Sequence, residues 1–304
     1  MWIFLAILSA FCLGFYDVSK KESLICNSVI SVLSLSVFFS SLMLAPMLIL
    51  SLCGVTRSES LFYVAEVSWQ EHLLILLKAA LVLSSWLFAY IAIKNLPLTI
   101  VAPVNATRPM WTLVGALLIF GEELNTWQWV GVLIIIAAFY AFSVVGKKEG
   151  ISFVHNRYIW ALLLGMFLGA ASGLYDKYLM RHIDHNAVQV FYTFYQTLMM
   201  LVVWLIHRLR TSQTKAADDS KPTFTWRWWI IAISAFLVLS DFFYLLALTY
   251  PDSLIAVVST TRRCGVVIPF LFGALVLHDK NAKPKAVCLL FVLIGMICLL
   301  AGTV

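Results

Sequence analysis

Ten long apolar runs dominate this sequence and restrict what the chain can fold into. Each run is about 20 residues long, the length that an α-helix needs to cross the hydrocarbon core of a bilayer. Hydrophobic residues make up 62% of the 304 positions and charged residues 12%, whereas soluble domains are about half apolar and a quarter charged. The pattern predicts an all-α integral membrane protein with ten transmembrane helices, at Trp2–Ser19, Ser28–Leu52, His72–Ile93, Leu98–Phe120, Trp127–Val145, Tyr158–Met180, Asn186–His207, Trp228–Thr249, Ser253–Leu277 and Ala286–Ala301.

The first run has no basic n-region and no clear cleavage site, so we expect it to stay as a helix. The longest predicted loops are Cys53–Glu71 and Arg208–Arg227. The six cysteines have no CxxC spacing and mostly lie in apolar runs, so they are read as buried apolar residues. The net charge of +6 is attributed to basic cytoplasmic loops, and no nucleic-acid partner is expected.

The two halves of the chain repeat the same features in the same order. GFYD, which ends at Asp17, returns as GLYD, which ends at Asp176. Arg108 lies inside the fourth predicted helix, as Arg262 and Arg263 lie inside the ninth. We therefore predict two five-helix repeats, residues 1–150 and 151–304. Because five is odd, the second repeat must enter the membrane from the opposite side, which gives the inverted repeat of many secondary transporters.

The loops that follow the odd-numbered helices carry most of the lysines and arginines, for example Lys94, Lys147, Arg210 and Lys280. The positive-inside rule then places both termini outside the cytoplasm.

The segment PLTIVAPVNATRPMWTLVGALLIFGEELNTWQWVGVLIII (97–136) and the ten-helix pattern resemble the EamA family of the drug/metabolite transporter superfamily. Gly121-Glu122, followed by Trp127-Gln128 and Gly131, is similar to that family's junction between its fourth and fifth helices. The second half has Leu277-His278-Asp279-Lys280 at this point, so the junction glutamate has no counterpart there. The resemblance implies a central cavity lined by helices 1, 3, 4, 6, 8 and 9, and export or exchange of small metabolites. It also implies cytoplasmic termini, opposite to the loop charges, and the orientation stays open.

Asp17 and Asp176 are ionisable groups at the ends of apolar runs, where charge is costly and commonly functional. Asp17 and Lys21 lie one turn apart and could pair, whereas Arg181 or another helix is the better partner for Asp176. The alternative is that both aspartates mark helix ends in water. Tyr16 and Tyr175 precede them as belt residues or cavity walls.

The buried arginines are the stronger signal. Arg108, Arg262 and Arg263 lie about ten residues, or roughly 15 Å, into their helices. Arginine keeps its proton and so needs an anion or a polar cavity. Asp241 is the candidate internal partner for one of them. A structural Arg–Asp lock and a site for a carboxylate or phosphate of the substrate both stay open.

The same part of the sequence offers helix breaks and aromatic walls. Pro103, Asn105 and Pro109 should interrupt the fourth helix, and Pro251 and Pro269 should begin and interrupt the ninth. Trp86, Tyr90 and Trp111 could wall a cavity or simply pack. Lys78 is interpreted as a lysine that reaches the interface with its long stem.

The sequence favours a secondary transporter of a small metabolite, such as an amino acid or organic acid, in a cell membrane, the inner membrane if the cell is Gram-negative. No cofactor or catalytic residue is expected, and His182, Asp184 and His185 lack a helical metal-ligand spacing. The partners expected are the small-molecule substrate and the lipid bilayer, with a homodimer left open. The alternatives are an intramembrane enzyme acting on lipid and a non-transporting membrane subunit.

Overall fold

A computed structural model describes residues 2–56, 60, 62–111, 125–147, 154–180, 182–214, 224–248, 250 and 255–302. Within these ranges the chain is helical and contains no strand. The helices are α1 (Trp2–Ser23), α2 (Val29–Leu52), α3 (Trp69–Asn95), α4 (Leu98–Ala106), α5 (Thr126–Lys147), α6 (Arg157–Leu179), α7 (His185–Thr214), α8 (Trp229–Leu248), α9 (Ile255–Arg263), α10 (Val267–Leu275) and α11 (Ala282–Ala301).

Eight of the described helices are long and apolar enough to cross a membrane, namely α1, α2, α3, α5, α6, α7, α8 and α11. They coincide with eight of the predicted runs. Large apolar side chains point outward from them, such as Phe4, Leu42, Leu133 and Ile297. Such a surface is stable only against lipid, so the protein is a multi-pass membrane protein.

The fourth and ninth predicted helices differ from the rest. The fourth is described only as α4 and a helical stretch at 108–111, and residues 112–124 lie outside the described part. The ninth is divided into α9, a 3₁₀ turn at Cys264–Val266, and α10. A ten-helix count is therefore not established.

Local sequence accounts for several helix ends. Ser68 and Glu71 form a capping box at the start of α3, with Ser68 N donating to Glu71 Oε2 at 2.7 Å. Asp184 Oδ1 accepts from the amides of Asn186 and Ala187 at 3.0 Å and so caps α7. The predicted loop at Arg208 was placed too early, because α7 continues to Thr214.

The packing joins helices from the first half of the sequence to helices from the second half. α1 packs on α8, α3 on α6, α2 on α7, α4 on α10 and α5 on α11. Close approach depends on small residues. A Cβ on Gly131 in α5 would lie 2.7 Å from Gly295 O in α11, and a Cβ on Gly14 in α1 would lie 2.7 Å from Gly265 O.

Candidate functional site

Two helix interruptions place arginines inside the bundle. α4 ends at Ala106, the chain turns at Thr107, and Arg108 begins the next helical stretch. Pro109 follows directly, and its missing amide hydrogen weakens helical bonding at this point. In the second half α9 ends at Arg263 and passes into the 3₁₀ turn. The predicted break at Arg108 is confirmed, and the ninth predicted helix is also interrupted beside its arginines.

Two details of the breaks differ from the prediction or cannot be tested. Pro269 lies inside α10, just after the interruption, instead of forming it. Pro251 lies outside the described residues. Asn105 lies in the last turn of α4 and is partly exposed.

Arg262 forms an ion pair with Asp241, the partner expected for one of the two arginines. Tyr192 Oη donates to the other oxygen of Asp241 at 2.6 Å, and Arg262 Nη2 donates to Ser240 Oγ at 3.1 Å. The guanidinium also lies 4.4 Å from the ring centre of Tyr244. These contacts hold Arg262 between α7, α8 and α9, so Arg262 and Asp241 form the structural lock.

Within the described part of the chain, Arg263 lacks the kind of contacts that Arg262 has. Among the described residues it forms no hydrogen bond, ion pair or ring contact, although it is only partly exposed. Its charge interacts with those of Arg108, Arg262 and Asp17. A guanidinium can bind an anion through two parallel N–H groups.

Asp17 pairs with Lys20, not with Lys21. Lys20 Nζ lies 2.5 Å from Asp17 Oδ1, and only 6% of the lysine side chain is exposed. Lys21 Nζ instead donates to the carbonyls of Ile93 and Leu96, both at 2.8 Å. Three-residue and four-residue spacings both lie on one helical face, so the sequence did not distinguish the two lysines.

The Tyr16 and Tyr90 rings hold the same lysine. Lys20 Nζ lies 4.1 Å from the ring centre of Tyr16 and 5.4 Å from that of Tyr90. Both tyrosines are buried, so they form part of the interior and not of an interfacial belt. A cation is stabilised by the faces of such rings.

Asp176 pairs with Lys78 from another helix, as one of the two predicted alternatives had it. Lys78 Nζ lies 2.6 Å from Asp176 Oδ1, and 5% of the lysine side chain is exposed. The interpretation of Lys78 as a lysine that reaches the interface is therefore wrong. Arg181, the other candidate partner, lies outside the described residues. With 21% and 19% of their side chains exposed, neither Asp17 nor Asp176 is a freely solvated helix end.

The cluster around the two breaks carries excess positive charge. Arg108 interacts electrostatically with Asp17 and Arg262, and Lys20 interacts with Asp17, Arg108 and Arg263. Four cations, which include Arg262, share the two carboxylates Asp17 and Asp241. The guanidinium of Arg108 lies directly against Gly169 of α6, where a Cβ would come within 2.8 Å of Nη1.

The other aromatic residues predicted for the site lie at different points of the bundle. Trp111 packs edge-on against Phe167, with ring centres 4.6 Å apart. Tyr175 Oη donates to Leu74 O at 3.2 Å and its ring stacks on Tyr178. Trp86 lies on the wall of a polar pocket between α2, α3, α7 and α8. The structure thus brings Tyr16, Tyr90, the arginines and Asp17 together, and leaves Tyr175 and Trp111 elsewhere.

Sequence reasoning missed Lys20 as a member of the cluster, and it missed Tyr192 and Gln196. Both of the latter lie in α7, in the segment VQVFYTFYQTLMM (188–200), which was interpreted as an ordinary apolar span. The available signal was a helical spacing of polar groups, with Gln189, Tyr192, Thr193 and Gln196 on one face.

The comparisons with known proteins concern the family and the fold. Residues 1–144 match the EamA-like transporter family. This part of the chain is similar to that family. The EamA match indicates a membrane transporter of the drug/metabolite transporter type, since the members of that family are transporters.

A likeness of fold to a solved structure extends over nearly the whole length of the chain. A solved crystal structure superposes on 98% of this chain and 94% of its own, with a TM-score of 0.62 and 13% sequence identity. At this identity the likeness shows the fold alone. No curated protein sequence matches the chain. Gly131 of the family-like motif packs on α11, and Gln128 Oε1 accepts from Asn125 N at 3.0 Å, whereas Gly121 and Glu122 lie outside the described residues.

Proposed function

We propose that this protein is a secondary transporter that moves a small metabolite with an anionic group, such as an amino acid or organic acid, across a cell membrane. Arg263 and Arg108 bind the anionic group at the two helix breaks. The direction is export or exchange, as the family resemblance implies. The observation that carries the proposal is Arg263, which has no ionic or hydrogen-bonding partner among the described residues and belongs to a cluster with excess positive charge.

A guanidinium buried in a membrane bundle without an anion is costly, because little water reaches it to compensate its charge. Arg262 avoids this cost through Asp241, and Lys20 avoids it through Asp17. A substrate carboxylate or phosphate would do the same for Arg263. Planar guanidinium groups bind such anions through two parallel hydrogen bonds, which gives the site its selectivity for anions.

Alternating access needs two units that move against each other, and we propose residues 1–150 and 151–304 for them. The helix contacts support inverted repeats. When each helix is exchanged for its counterpart in the other half, the α1–α8 contact becomes α6–α3, and the α2–α8 contact becomes α7–α3. All four contacts are present. The α2–α7, α5–α11 and α4–α10 contacts each map onto themselves. A binding site between such repeats can open first to one side and then to the other.

The test is a thermal-shift screen of the purified protein against amino acids, organic acids, nucleosides and amines. A ligand that binds the folded state raises the apparent melting temperature. We expect a hit among the anionic compounds that disappears in Arg263→Leu. The matched control is Arg157→Leu, since Arg157 is exposed at the start of α6. An anionic hit that survives in Arg263→Leu, or hits confined to uncharged or cationic compounds, would contradict the proposal.

A further inference from the structure

Three glycines lie one turn apart on α6, at positions 165, 169 and 173, and each has different surroundings. A Cβ on Gly165 would lie 2.9 Å from the backbone oxygen of Ser85 in α3. A Cβ on Gly173 would meet nothing among the described residues within 4 Å. A Cβ on Gly169 would overlap the guanidinium of Arg108, at 2.5 Å from Nη2 and 2.8 Å from Nη1. Gly169 differs from the other two because the atoms nearest to its Cβ position belong to one flexible, cationic side chain.

The backbone around Arg108 is held against α6 on both sides of the arginine. Thr107 Oγ1 lies 3.1 Å from Met166 Sδ, and the ring of Trp111 packs edge-on against that of Phe167. These two contacts set the distance between the helix break and α6, so the guanidinium must lie close to the surface of α6. Because the residue that faces it there is a glycine, the planar group can lie directly against the helix backbone.

The direction of the Arg108 guanidinium matters because this group belongs to the cationic cluster. Its charge interacts with those of Asp17, Lys20 and Arg263. A guanidinium binds a carboxylate through two parallel N–H groups, which requires that its plane and its fork face the anion. A methyl group on Gly169 would push Nη1 and Nη2 away from α6 and turn the fork.

We propose that Gly169 is a positioning residue for anion binding, which leaves room for the Arg108 guanidinium and so directs its N–H groups toward the substrate anion. The proposal rests on the proposed function, since it takes Arg108 as a group that binds the anion. Gly169 does not touch the substrate and acts only through Arg108. It therefore differs from Gly165, which allows α6 to pack closely on α3.

The first measurement tests the contact between Gly169 and Arg108 without any ligand. Gly165→Ala should lower the melting temperature of the detergent-solubilised protein, because the Ser85 carbonyl belongs to a packed helix and cannot move away. Gly169→Ala should change it much less, because the guanidinium is the end of a flexible side chain. In an Arg108→Ala background the space is empty and alanine favours the helix, so Gly169→Ala should raise the melting temperature more than in wild type. Equal changes in the two backgrounds would overturn the proposal.

The second measurement uses succinate, an organic acid, as the anionic probe and records the concentration that gives half of the maximal thermal shift. Gly169→Ala should raise this concentration at least about tenfold, the effect of losing one charge-assisted hydrogen bond. Gly173→Ala is the matched control one turn further along α6 and should leave it unchanged. In an Arg108→Lys background the effect of Gly169→Ala should fall below about twofold, because an ammonium group has no planar fork to turn.

Failure of this proposal and failure of the proposed function give different results. Succinate binding that is lost in Arg263→Leu but kept in full in Gly169→Ala would overturn the role of Gly169 and leave the anion site standing. An equal loss of affinity in Gly173→Ala, or an undiminished loss in the Arg108→Lys background, would overturn it too. No succinate response in wild type would contradict the anion site, and the ligand-free comparison would then decide whether Gly169 positions Arg108.

Discussion

Lys78 Nζ lies 2.6 Å from Asp176 Oδ1, and this ion pair joins α3 to α6 inside the bundle. The lysine also lies 4.8 Å from the ring centre of Tyr192, so its charge is enclosed on two sides. Removing one member of a buried pair leaves the other charge without compensation, at a cost of about 3–5 kcal/mol. Lys78→Met should therefore lower the melting temperature of the detergent-solubilised protein strongly.

The double variant Lys78→Met/Asp176→Leu should recover most of that loss, because it removes both charges. The ion pair between Arg227 and Glu22 provides a comparison. Its charged atoms are 3.9 Å apart, and 31% of the Arg227 side chain is exposed. Glu22→Gln should cost less than about 1 kcal/mol. A double variant no more stable than Lys78→Met would show that the pair is not what stabilises the α3–α6 contact.

Arg262 and Arg263 should respond differently to the same substitution. Arg262→Leu leaves the mostly buried Asp241 with only Tyr192 as a described partner, so we expect a loss of up to about 3–5 kcal/mol of folding free energy. Arg263→Leu removes a charge that has no such partner, so the free energy of unfolding should stay the same or rise. Unfolding curves of the two variants check this, and equal losses would mean that Arg263 is also part of the structural lock.

The glycines of GFYD and GLYD provide a matched pair of substitutions. A Cβ on Gly14 would lie 2.7 Å from Gly265 O and from Ile268 Cβ, whereas a Cβ on Gly173 meets nothing within 4 Å. Gly14→Ala should cost about 1–3 kcal/mol through overpacking. Gly173→Ala should be neutral or stabilising by up to about 1 kcal/mol, because alanine favours the helix. Melting temperatures that change equally would contradict the close crossing at Gly14.

Asp184 predicts a pH dependence at the start of α7. Burial would raise the pKa of Asp184, but hydrogen bonds from His185 and from the amides of Ala187 and Asn186 outweigh burial and lower the pKa. The cap stabilises fully above the ordinary aspartate pKa of about 3.9. This stabilisation is lost as the pH falls through the lower folded-state value.

The cap itself should be worth about 1 kcal/mol, so Asp184→Ala should lower the melting temperature at neutral pH. Asp184→Asn keeps a capping oxygen and has no charge to lose. The stability difference between wild type and Asp184→Asn should therefore shrink from pH 6 towards pH 3. A difference that stays constant over this range would mean that the charge of Asp184 contributes nothing.

The features that could be predicted from the sequence are those set by local pattern. The eight long spans follow from runs of apolar residues, and the break before Arg108 follows from Pro109, whereas Pro103 lies inside α4 without interrupting it. The Arg262–Asp241 pair could be anticipated because two buried opposite charges in one bundle stabilise each other. The cost of an unpaired buried charge thus restricts which residues can pair, even before the positions of the helices are known.

The remaining contacts depend on how helices face each other, which the sequence does not specify. Lys78 and Asp176 are far apart in the chain, and only the α3–α6 crossing brings them together. Lys20 and Lys21 both had suitable spacing from Asp17, and their rotation toward different neighbours decided between them. Gln196 was not noticed because one polar residue in a long apolar span changes its hydropathy little.

The central claim is that Arg263 binds the anionic group of a transported metabolite. The most direct measurement is uptake of the best anionic hit, radiolabelled, into proteoliposomes preloaded with the same compound. Wild type and Arg157→Leu should both show counterflow, and Arg263→Leu should lose at least about tenfold in initial rate, as the loss of a charge-assisted pair worth about 1.5–3 kcal/mol implies. Wild-type counterflow in a folded Arg263→Leu variant would contradict the account.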